Sequence, residues 1–291
     1  MKRLACITVA LTAALTGFAQ KDSTAKENVP DTIKVGNFVI IKQNKGGNKN
    51  DENWNRNATV NVFFDRKNTK RKPSNISTNW IIFDLGFANY RDQTNYTAAQ
   101  SMGYLRQIGP GGPVTQSAMT LNTGKSSNVN IWLFMQKFNV YKHIFNLKYG
   151  LGLEMYNFRY DRSISYRNNP QPFVFMDSIG FSKDKLYTGY LTVPFMLNIN
   201  PSPERRHGFN FSVGASAGYL VGSHAKQISS ERGKQKISGG FDLNPWRFAL
   251  VSEIGLGPVR VYGSYSLNAL HRDFTGLEQY PFAVGIRFSN W

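Results

Sequence analysis

The chain has 291 residues, a formal net charge of +17 and a single cysteine, Cys6. Beyond the first 20 residues, no apolar run reaches the roughly 18 residues that a transmembrane helix needs, so helical spans are excluded from the rest of the chain. Cys6 belongs to an N-terminal leader that is expected to be removed. The mature chain would then lack cysteine, which excludes disulfides, thiol nucleophiles and cysteine-ligated metals.

Residues 1–19 predict a secretory signal peptide. Two basic residues, Lys2 and Arg3, precede an apolar stretch, and small residues lead to a cleavage site near Ala19/Gln20. The apolar stretch is too short to anchor the chain in a bilayer. Cleavage removes Lys2 and Arg3 and lowers the net charge from +17 to +15. A basic exported chain is expected to meet anionic lipid or glycan, not nucleic acid.

Residues 20–76 are rich in Lys, Asn and Asp and predict a basic periplasmic N-terminal arm. Two β-like pieces, Asp31–Lys42 and Ala58–Asp65, are separated by a polar connector that contains glycine. A short β-hairpin and a flexible arm are both compatible with this pattern. The basic run RKNTKRK at residues 66–72 predicts a solvated linker.

From residue 79 onward, apolar and polar residues alternate in segments of roughly nine to fifteen residues, the length of a tilted transmembrane strand. For example, Val259 and Val261 lie on one face of such a segment, and Arg260 lies on the other. The segments lie at about 79–89, 129–138, 144–157, 186–199, 208–222, 246–256, 258–268 and 281–290. They predict an all-β fold, an eight-stranded antiparallel up-and-down transmembrane β-barrel formed by residues 77–291.

The connections between these segments alternate in length. Those that follow the odd-numbered segments are long, and those that follow the even-numbered ones are short, as in NVYKH at residues 139–143. Outer-membrane barrels have short periplasmic turns and long outer connections. We therefore expect mobile external loops, including a flexible tip at GPGGP (residues 109–113), and an N-terminal extension on the periplasmic side.

Two segments carry local ambiguities. The second, NVNIWLFMQKF at residues 128–138, is apolar on both faces, so the sequence does not assign the side that faces inward. In the fourth, Pro194 cannot donate a backbone hydrogen bond to a neighbouring strand. A bulge or a local break is therefore expected at Pro194.

If the apolar faces contact lipid, the opposite faces place seven charged side chains in the lumen. They are Asp84, Lys148, Glu154, Arg247, Glu253, Arg260 and Arg287. Buried charges persist when they are paired and hydrogen-bonded, and the lumen of an eight-stranded barrel is just wide enough for side chains to fill it. The sequence therefore favours a lumen plugged by mutually compensating charges. A selective conduit is the alternative.

The last predicted strand directs four apolar side chains towards lipid: Phe282, Val284, Ile286 and Phe288. Its other face, with Gly285 and Arg287, points inward, and the strand is expected to close the barrel against the first. With the terminal aromatic residue Trp291, the four side chains resemble the C-terminal signal that the bacterial barrel assembly machinery recognises. Trp291 lies one residue later than the alternation would place it, so the end either bulges or turns into the interface.

Three stretches resemble the Bacteroidota outer-membrane β-barrel family that includes PorT-like proteins. They are TNWIIFDLGFANY (residues 78–90), YLTVPFMLNINP (residues 190–201) and GFNFSVGASAGYLVGSHAK (residues 208–226). The resemblance covers most of residues 78–291 and implies an outer-membrane barrel. It also implies a role in type IX protein secretion for some members of the family.

Residues that could support rim catalysis are Ser223, His224, His271, Asp273 and Glu278. A serine beside a histidine in sequence is not a catalytic triad, which requires a spatially oriented base. The four histidines lack the spacing of a metal site, and GPGGP lacks the lysine and the helix of a phosphate-binding loop. We therefore predict no catalytic, metal-binding or cofactor-binding residue.

These observations favour a non-enzymatic outer-membrane barrel that acts as a structural or docking protein. The expected partners are outer-membrane lipid and lipopolysaccharide, the barrel assembly machinery, and a periplasmic or secretion partner bound through residues 21–76. No nucleic acid partner is expected. A PorT-like component of a secretion apparatus is the main alternative, followed by a narrow channel and a rim hydrolase.

Overall fold

The computed structural model describes residues 31–35, 38–44, 58–64, 74–203, 208–256 and 259–289. The predicted signal peptide, the basic linker and Trp291 lie outside these ranges. The chain divides into two compact units, residues 1–69 and residues 70–291.

The first unit contains a three-stranded antiparallel sheet in which β2 is central. Its strands are β1 (Asp31–Val35), β2 (Phe38–Asn44) and β3 (Ala58–Phe64). The first β-like piece, for which the sequence left a short hairpin and a flexible arm open, contributes two strands that pair with each other. The sequence carries a signal for this, a Gly-Asn dipeptide at positions 36 and 37, which is typical of a tight hairpin connection.

The second unit is built largely from twelve strands. In chain order its elements are β4 (Ile76–Asp92), α1 (Tyr96–Ser101), β5 (Leu105–Arg106), β6 (Ser127–Tyr141), β7 (Phe145–Arg159), β8 (Ile164–Arg167), β9 (Phe173–Met176), β10 (Lys183–Ile199), β11 (Phe209–Ser229), β12 (Gly233–Ser238), β13 (Trp246–Leu256), β14 (Val259–Ser266) and β15 (Gln279–Phe288). Within the described ranges, no helix has the length and apolar character to cross a bilayer.

Eight of these strands close into a ring. Around the ring the order is β4, β6, β7, β10, β11, β13, β14 and β15, and β15 pairs with β4 to complete it. All of these pairings are antiparallel. Each predicted strand overlaps one strand of the ring, which confirms the predicted antiparallel up-and-down arrangement.

A bulge explains why the second ring strand is apolar on both faces. The pairing of β6 with β7 shifts register between Trp132 and Phe134, which leaves Leu133 unpaired. On β4, Ile81 lies between the residues paired with Trp132 and Phe134, has a positive φ of 53° and is 79% exposed. Inward-facing residues of β6 are even-numbered up to Trp132 and include Met135 after the bulge, because one extra residue reverses the alternation.

Pro194 interrupts the hydrogen-bonded ladder on one side of β10. Pairing with β7 skips Val193 and Pro194 without a change of register. Pairing with β11 continues through Pro194, which lies opposite Ser216. The predicted local break is confirmed, and its cause is the missing N–H of proline.

The outer wall of the ring is apolar. Exposed large side chains on it include Phe87, Leu191, Val193, Phe195, Val213, Leu250, Val261, Val284, Ile286 and Phe288. On β15, Ala283 and Arg287 are buried between these exposed positions, so the strand has the facing that its alternation predicts. Such a belt is typical of strands that contact lipid.

The long connections, expected to be mobile, instead fold together at one end of the ring. Strands β5, β9 and β8 form a small sheet of their own, and β12 pairs with the far end of β11. We call the folded connections the cap, comprising residues 93–126, 160–182, 230–245 and 267–278. Apolar residues from all four share one buried cluster, including Tyr104, Tyr166, Phe241 and Leu277. Within the tip that was expected to be flexible, Gly109–Gly111 forms a 3₁₀ helix in which Gly111 is buried.

Candidate functional site

All seven charged residues predicted for the lumen are buried inside the ring, with at most 4% of each exposed. Each lies on a ring strand with outward-facing residues on either side, and these neighbours are apolar except for Ser252 beside Glu253. Three carboxylates and four cations therefore share a volume that holds little water, and the distances between them decide whether they stabilise one another.

Glu253 on β13 is the centre of this network. Its Oε2 accepts from Lys148 Nζ at 2.6 Å and from Arg287 Nη1 at 2.6 Å. Its Oε1 accepts from Arg260 Nη1 at 2.8 Å. One fully buried carboxylate thus forms ion pairs with three cations that come from β7, β14 and β15.

Asp84 on β4 forms a bidentate ion pair with Arg287 across the seam of the ring, where β15 pairs with β4. Arg287 donates from Nε to Oδ1 at 2.8 Å and from Nη2 to Oδ2 at 2.7 Å. Trp132 Nε1 donates to the same Oδ2 at 2.7 Å, and Asn130 Nδ2 donates to it at 3.1 Å. Sequence reasoning missed Trp132 and Asn130, because the inward side of β6 could not be assigned from the alternation.

Glu154 and Arg247 form a second ion pair, at 2.7 Å between Oε2 and Nη1. Arg247 also donates from Nε to Ser266 Oγ at 2.8 Å and from Nη2 to Ser264 Oγ at 2.7 Å. Its guanidinium carbon lies 4.9 Å from the centre of the Tyr156 ring, within range of a cation–π interaction. The guanidinium of Arg247 is therefore fixed by an ion pair, two hydrogen bonds to serine hydroxyls and an aromatic ring.

Close packing fills the space between the charges. Gly86 and Gly285 lie directly opposite each other at the seam, and a Cβ at Gly86 would lie 2.6 Å from Tyr262 Oη. The glycines leave room for Tyr262 to cross the interior and donate to Asn128 Oδ1 at 2.6 Å. A cavity beside Trp132 measures about 10 Å³, about the volume needed for one water molecule.

The rim candidates do not assemble into a catalytic group. Ser223 donates its hydroxyl to the carbonyl of Gly239, and His224 stacks on Tyr187 with ring centres 4.6 Å apart. Asp273 begins a short 3₁₀ helix, Asp273–Thr275. No hydrogen bond joins any two of the five candidates within the described parts of the chain.

His271 lies in the centre of the cap with no exposed surface. Its ring stacks on Tyr166 at 6.1 Å and meets Tyr104 edge-on at 5.8 Å. Neither ring nitrogen has a hydrogen-bond partner among the described residues. Burial lowers the pKa of His271 to about 3, because the charged imidazolium would lose its hydration. His271 is therefore a neutral packing residue of the cap.

The cap also contains an open pocket of about 520 Å³. Its lining includes Arg167, Phe175, Gln227 and a salt bridge of 2.8 Å between Asp177 Oδ2 and Arg232 Nη1. Burial alone would raise the pKa of Asp177, but hydrogen bonds from Ser165, the Ile179 N–H and Arg232 hold it below its usual range. The sequence has no signal for this pocket, because its residues come from separate connections.

A closed antiparallel ring with an apolar outer wall and a charged interior is the architecture of a transmembrane β-barrel. The chain belongs to the outer membrane protein beta-barrel domain family, whose model matches residues 93–272. It is accordingly an outer-membrane protein.

A structural comparison finds similarity to Ail, the attachment invasion locus protein of Yersinia pestis. The sequences are 10% identical, the match covers 72% of this chain and 98% of that chain, and the TM-score is 0.30. None of the curated proteins matches the chain.

The network predicts unequal costs for two isosteric substitutions. Glu253→Gln should lower the free energy of unfolding by about 3–5 kcal/mol, because it leaves buried cations without their carboxylate. Glu154→Gln should cost less, because Glu154 is paired with one cation. Urea titration of the refolded protein in detergent, followed by tryptophan fluorescence, measures both. Equal costs for the two variants would contradict the central role of Glu253.

The buried histidine predicts a pH dependence of cap stability. The pKa of His271 is about 3 in the folded cap and near 6.5 when the cap opens, so the open state binds more protons between these values. The contribution of the neutral His271 side chain to the stability of the cap is complete above about pH 6.5 and declines as the pH falls towards 3. After correction for the intrinsic exchange rate, which itself falls in acid, the opening of the cap measured by hydrogen exchange should therefore increase more steeply on acidification in wild type than in His271→Phe.

His143→Asn is the control for this experiment, because His143 lies in a short turn away from the cap and should leave the profile unchanged. Parallel pH profiles for wild type and His271→Phe would show that the buried imidazole does not destabilise the cap in acid.

Proposed function

We propose that the protein is a non-conducting, non-enzymatic outer-membrane barrel that acts by binding through its folded cap. The observation that carries this proposal is the interior network, in which Glu253 alone meets three cations from three other strands. Such a network occupies the lumen with paired side chains and leaves few free charges to bind and pass ions.

The cap supports the same function. Its apolar cluster continues from the barrel wall, where Tyr156 and Phe158 are buried, to Tyr166 and Phe241 in the connections. The connections present a fixed surface at the outer end of the barrel rather than independent loops. A preorganised surface loses less conformational entropy on binding than mobile loops do, which favours a role in recognition.

The rim residues support a role without catalysis. The hydroxyl of Ser223 donates to a backbone carbonyl, and neither ring nitrogen of His271 has a described hydrogen-bond partner. Nucleophilic catalysis needs a base within hydrogen-bonding reach of the nucleophile. For biogenesis, we propose that β15, with Phe282, Val284, Ile286 and Phe288 facing lipid, carries the signal read by the barrel assembly machinery.

Conductance tests the proposal directly. Refolded full-length protein inserted into a planar bilayer should give no stepwise current, because the lumen is filled. An open porin inserted in the same chamber serves as the positive control. Regular conductance steps in wild type, with an ion selectivity that changes in Glu253→Gln or Arg260→Gln, would overturn the plug and favour a narrow channel.

A second candidate function is that of a PorT-like component of a protein secretion apparatus. The resemblance of residues 78–90 and 190–201 to that family suggests it, and the separate three-stranded unit provides a docking element. The chain enters β4 beside a short turn, since Asn139 N donates to Asn75 O at 2.7 Å. Short turns are periplasmic in outer-membrane barrels. We therefore propose a periplasmic location for the N-terminal unit, where secretion partners would meet it.

Deletion of residues 21–69 tests this docking role. Crosslinking in intact cells followed by affinity capture should recover fewer partners from the deletion variant than from the full chain. Replacement of residues 230–238 by a short Gly-Ser turn is the control, because it alters the opposite end of the barrel and should leave periplasmic partners in place. An unchanged partner set after deletion of residues 21–69 would exclude the docking role.

A further inference from the structure

A row of four cationic residues crosses the outer wall near the cap. In the strand register Arg159 on β7 lies opposite Lys185 on β10, Lys185 lies opposite Lys226 on β11, and Lys226 lies opposite Lys236 on β12. Neighbouring strands are about 4.8 Å apart, so the row extends over roughly 14 Å. Four like charges thus stand side by side on adjacent strands.

Two further lysines continue the patch towards the cap. Lys183 on β10 and Lys234 on β12 both lie opposite Ile228 of β11. We call the six residues of both rows, Arg159, Lys183, Lys185, Lys226, Lys234 and Lys236, the cationic patch. Lys234 and Lys236 are exposed, and the other four are partly exposed.

A bulge in β11 turns Lys226 outward. The register between β10 and β11 shifts at Gly189/Tyr190 and leaves Val221 without a partner. Before the bulge, odd-numbered residues of β11 such as Tyr219 face outward. After it, Ala225 and Gln227 are buried, at 3% and 4% exposure, so Lys226 faces outward beside Lys185 and Lys236.

The patch carries positive charge that is not paired in salt bridges. No salt bridge in the described parts of the chain involves any of its six residues. The nearest acid in sequence, Asp184, is buried on the inward face and accepts from the Ile164 N–H. Like charges directly opposite each other destabilise a sheet, so the arrangement favours an anionic ligand that offsets the repulsion.

The height of the patch on the wall indicates the kind of ligand. Below it on the same strands come the stacked rings of Tyr187 and His224, and then the exposed apolar side chains Leu191, Val193 and Tyr219. Aromatic rings of this kind lie at the membrane–water interface. The cationic patch therefore begins where the lipid belt ends, on the side wall and not at the outer tip of the cap.

We propose that the cationic patch binds the phosphate groups of lipopolysaccharide in the outer leaflet beside the barrel. A row of cations on a convex wall, level with the headgroups, can contact several phosphates of neighbouring molecules at once. The proposal rests on the membrane orientation given under the proposed function and does not depend on whether the lumen conducts. It assigns the lipid side of strands β7, β10 and β11, extended by β12, as a lipid-recognition surface.

Titration of the full-length protein in detergent with purified lipopolysaccharide tests the proposal. The triple variant Lys185→Gln, Lys226→Gln and Lys236→Gln should bind at least about tenfold more weakly, because each lysine contributes to attraction by anionic headgroups. A control with the same change in net charge, Arg91→Gln with Lys125→Gln and Lys142→Gln, should bind like wild type. Enzymatically dephosphorylated lipopolysaccharide should bind wild type as weakly as intact lipopolysaccharide binds the patch variant.

Stability provides a second readout that separates binding from folding. Without lipopolysaccharide, the patch variant should unfold at the same or a higher urea concentration than wild type, because repulsion across the strands is removed. With lipopolysaccharide, wild type should gain stability and the patch variant should gain little. Equal affinities of wild type and patch variant would overturn the proposal, as would an equal loss in the control variant. Full displacement by millimolar inorganic phosphate would indicate a site for free anions and would also overturn it.

Discussion

The structure depends on one constraint, which is that charges enclosed in a narrow barrel must find partners within it. Glu253 satisfies this constraint for Lys148, Arg260 and Arg287, and Asp84 holds Arg287 from the other side. Arg287 therefore connects the last strand to the first through Asp84 and to β13 through Glu253. Because removal of one partner leaves an uncompensated buried charge, the ion pairs penalise any arrangement in which the seam stays open. Ring closure and charge pairing are thus two aspects of the same arrangement.

The character of the interior changes along the barrel. Within the part of the ring that bears the lipid belt, the interior contains the seven charged side chains and several buried amides such as Asn128, together with a small apolar cluster of Ile82, Trp132 and Met135. Towards the cap the buried side chains become aromatic, and the cluster that begins at Tyr156 continues through Tyr166 to Phe241. His271 lies in this second region, and neither of its ring nitrogens has a hydrogen-bond partner among the residues that the structure describes. The cap therefore depends on apolar packing, whereas the barrel interior depends on paired charges.

The sequence predicted the ring well because, in most ring strands, the alternation of apolar and polar residues shows which side faces lipid. The alternation of Val259, Arg260 and Val261 needs no tertiary information to be read. The alternation did not predict which side of β6 faces inward. There the bulge at Leu133 reverses the alternation and places Trp132 and Met135 on the same side. The cap was also not predictable, because its buried residues are scattered over four connections that have no common period. A sequence pattern predicts burial only where buried and exposed residues alternate regularly. They do not alternate regularly at the bulge in β6 or in the connections of the cap.

The bulge in β11 affects both sides of the wall. A shift of one residue exchanges every inward and outward side chain of a strand, so without the unpaired Val221 the Lys226 side chain would point into the cap. In the observed register Gln227 occupies the interior and donates from Nε2 to Ile164 O and to Ser165 Oγ, both at 2.9 Å. The same residue insertion thus satisfies polar groups inside the cap and aligns Lys226 with Lys185 and Lys236 outside. Because the interior contacts of Gln227 fix this register, the cationic patch is maintained even though its own charges repel one another.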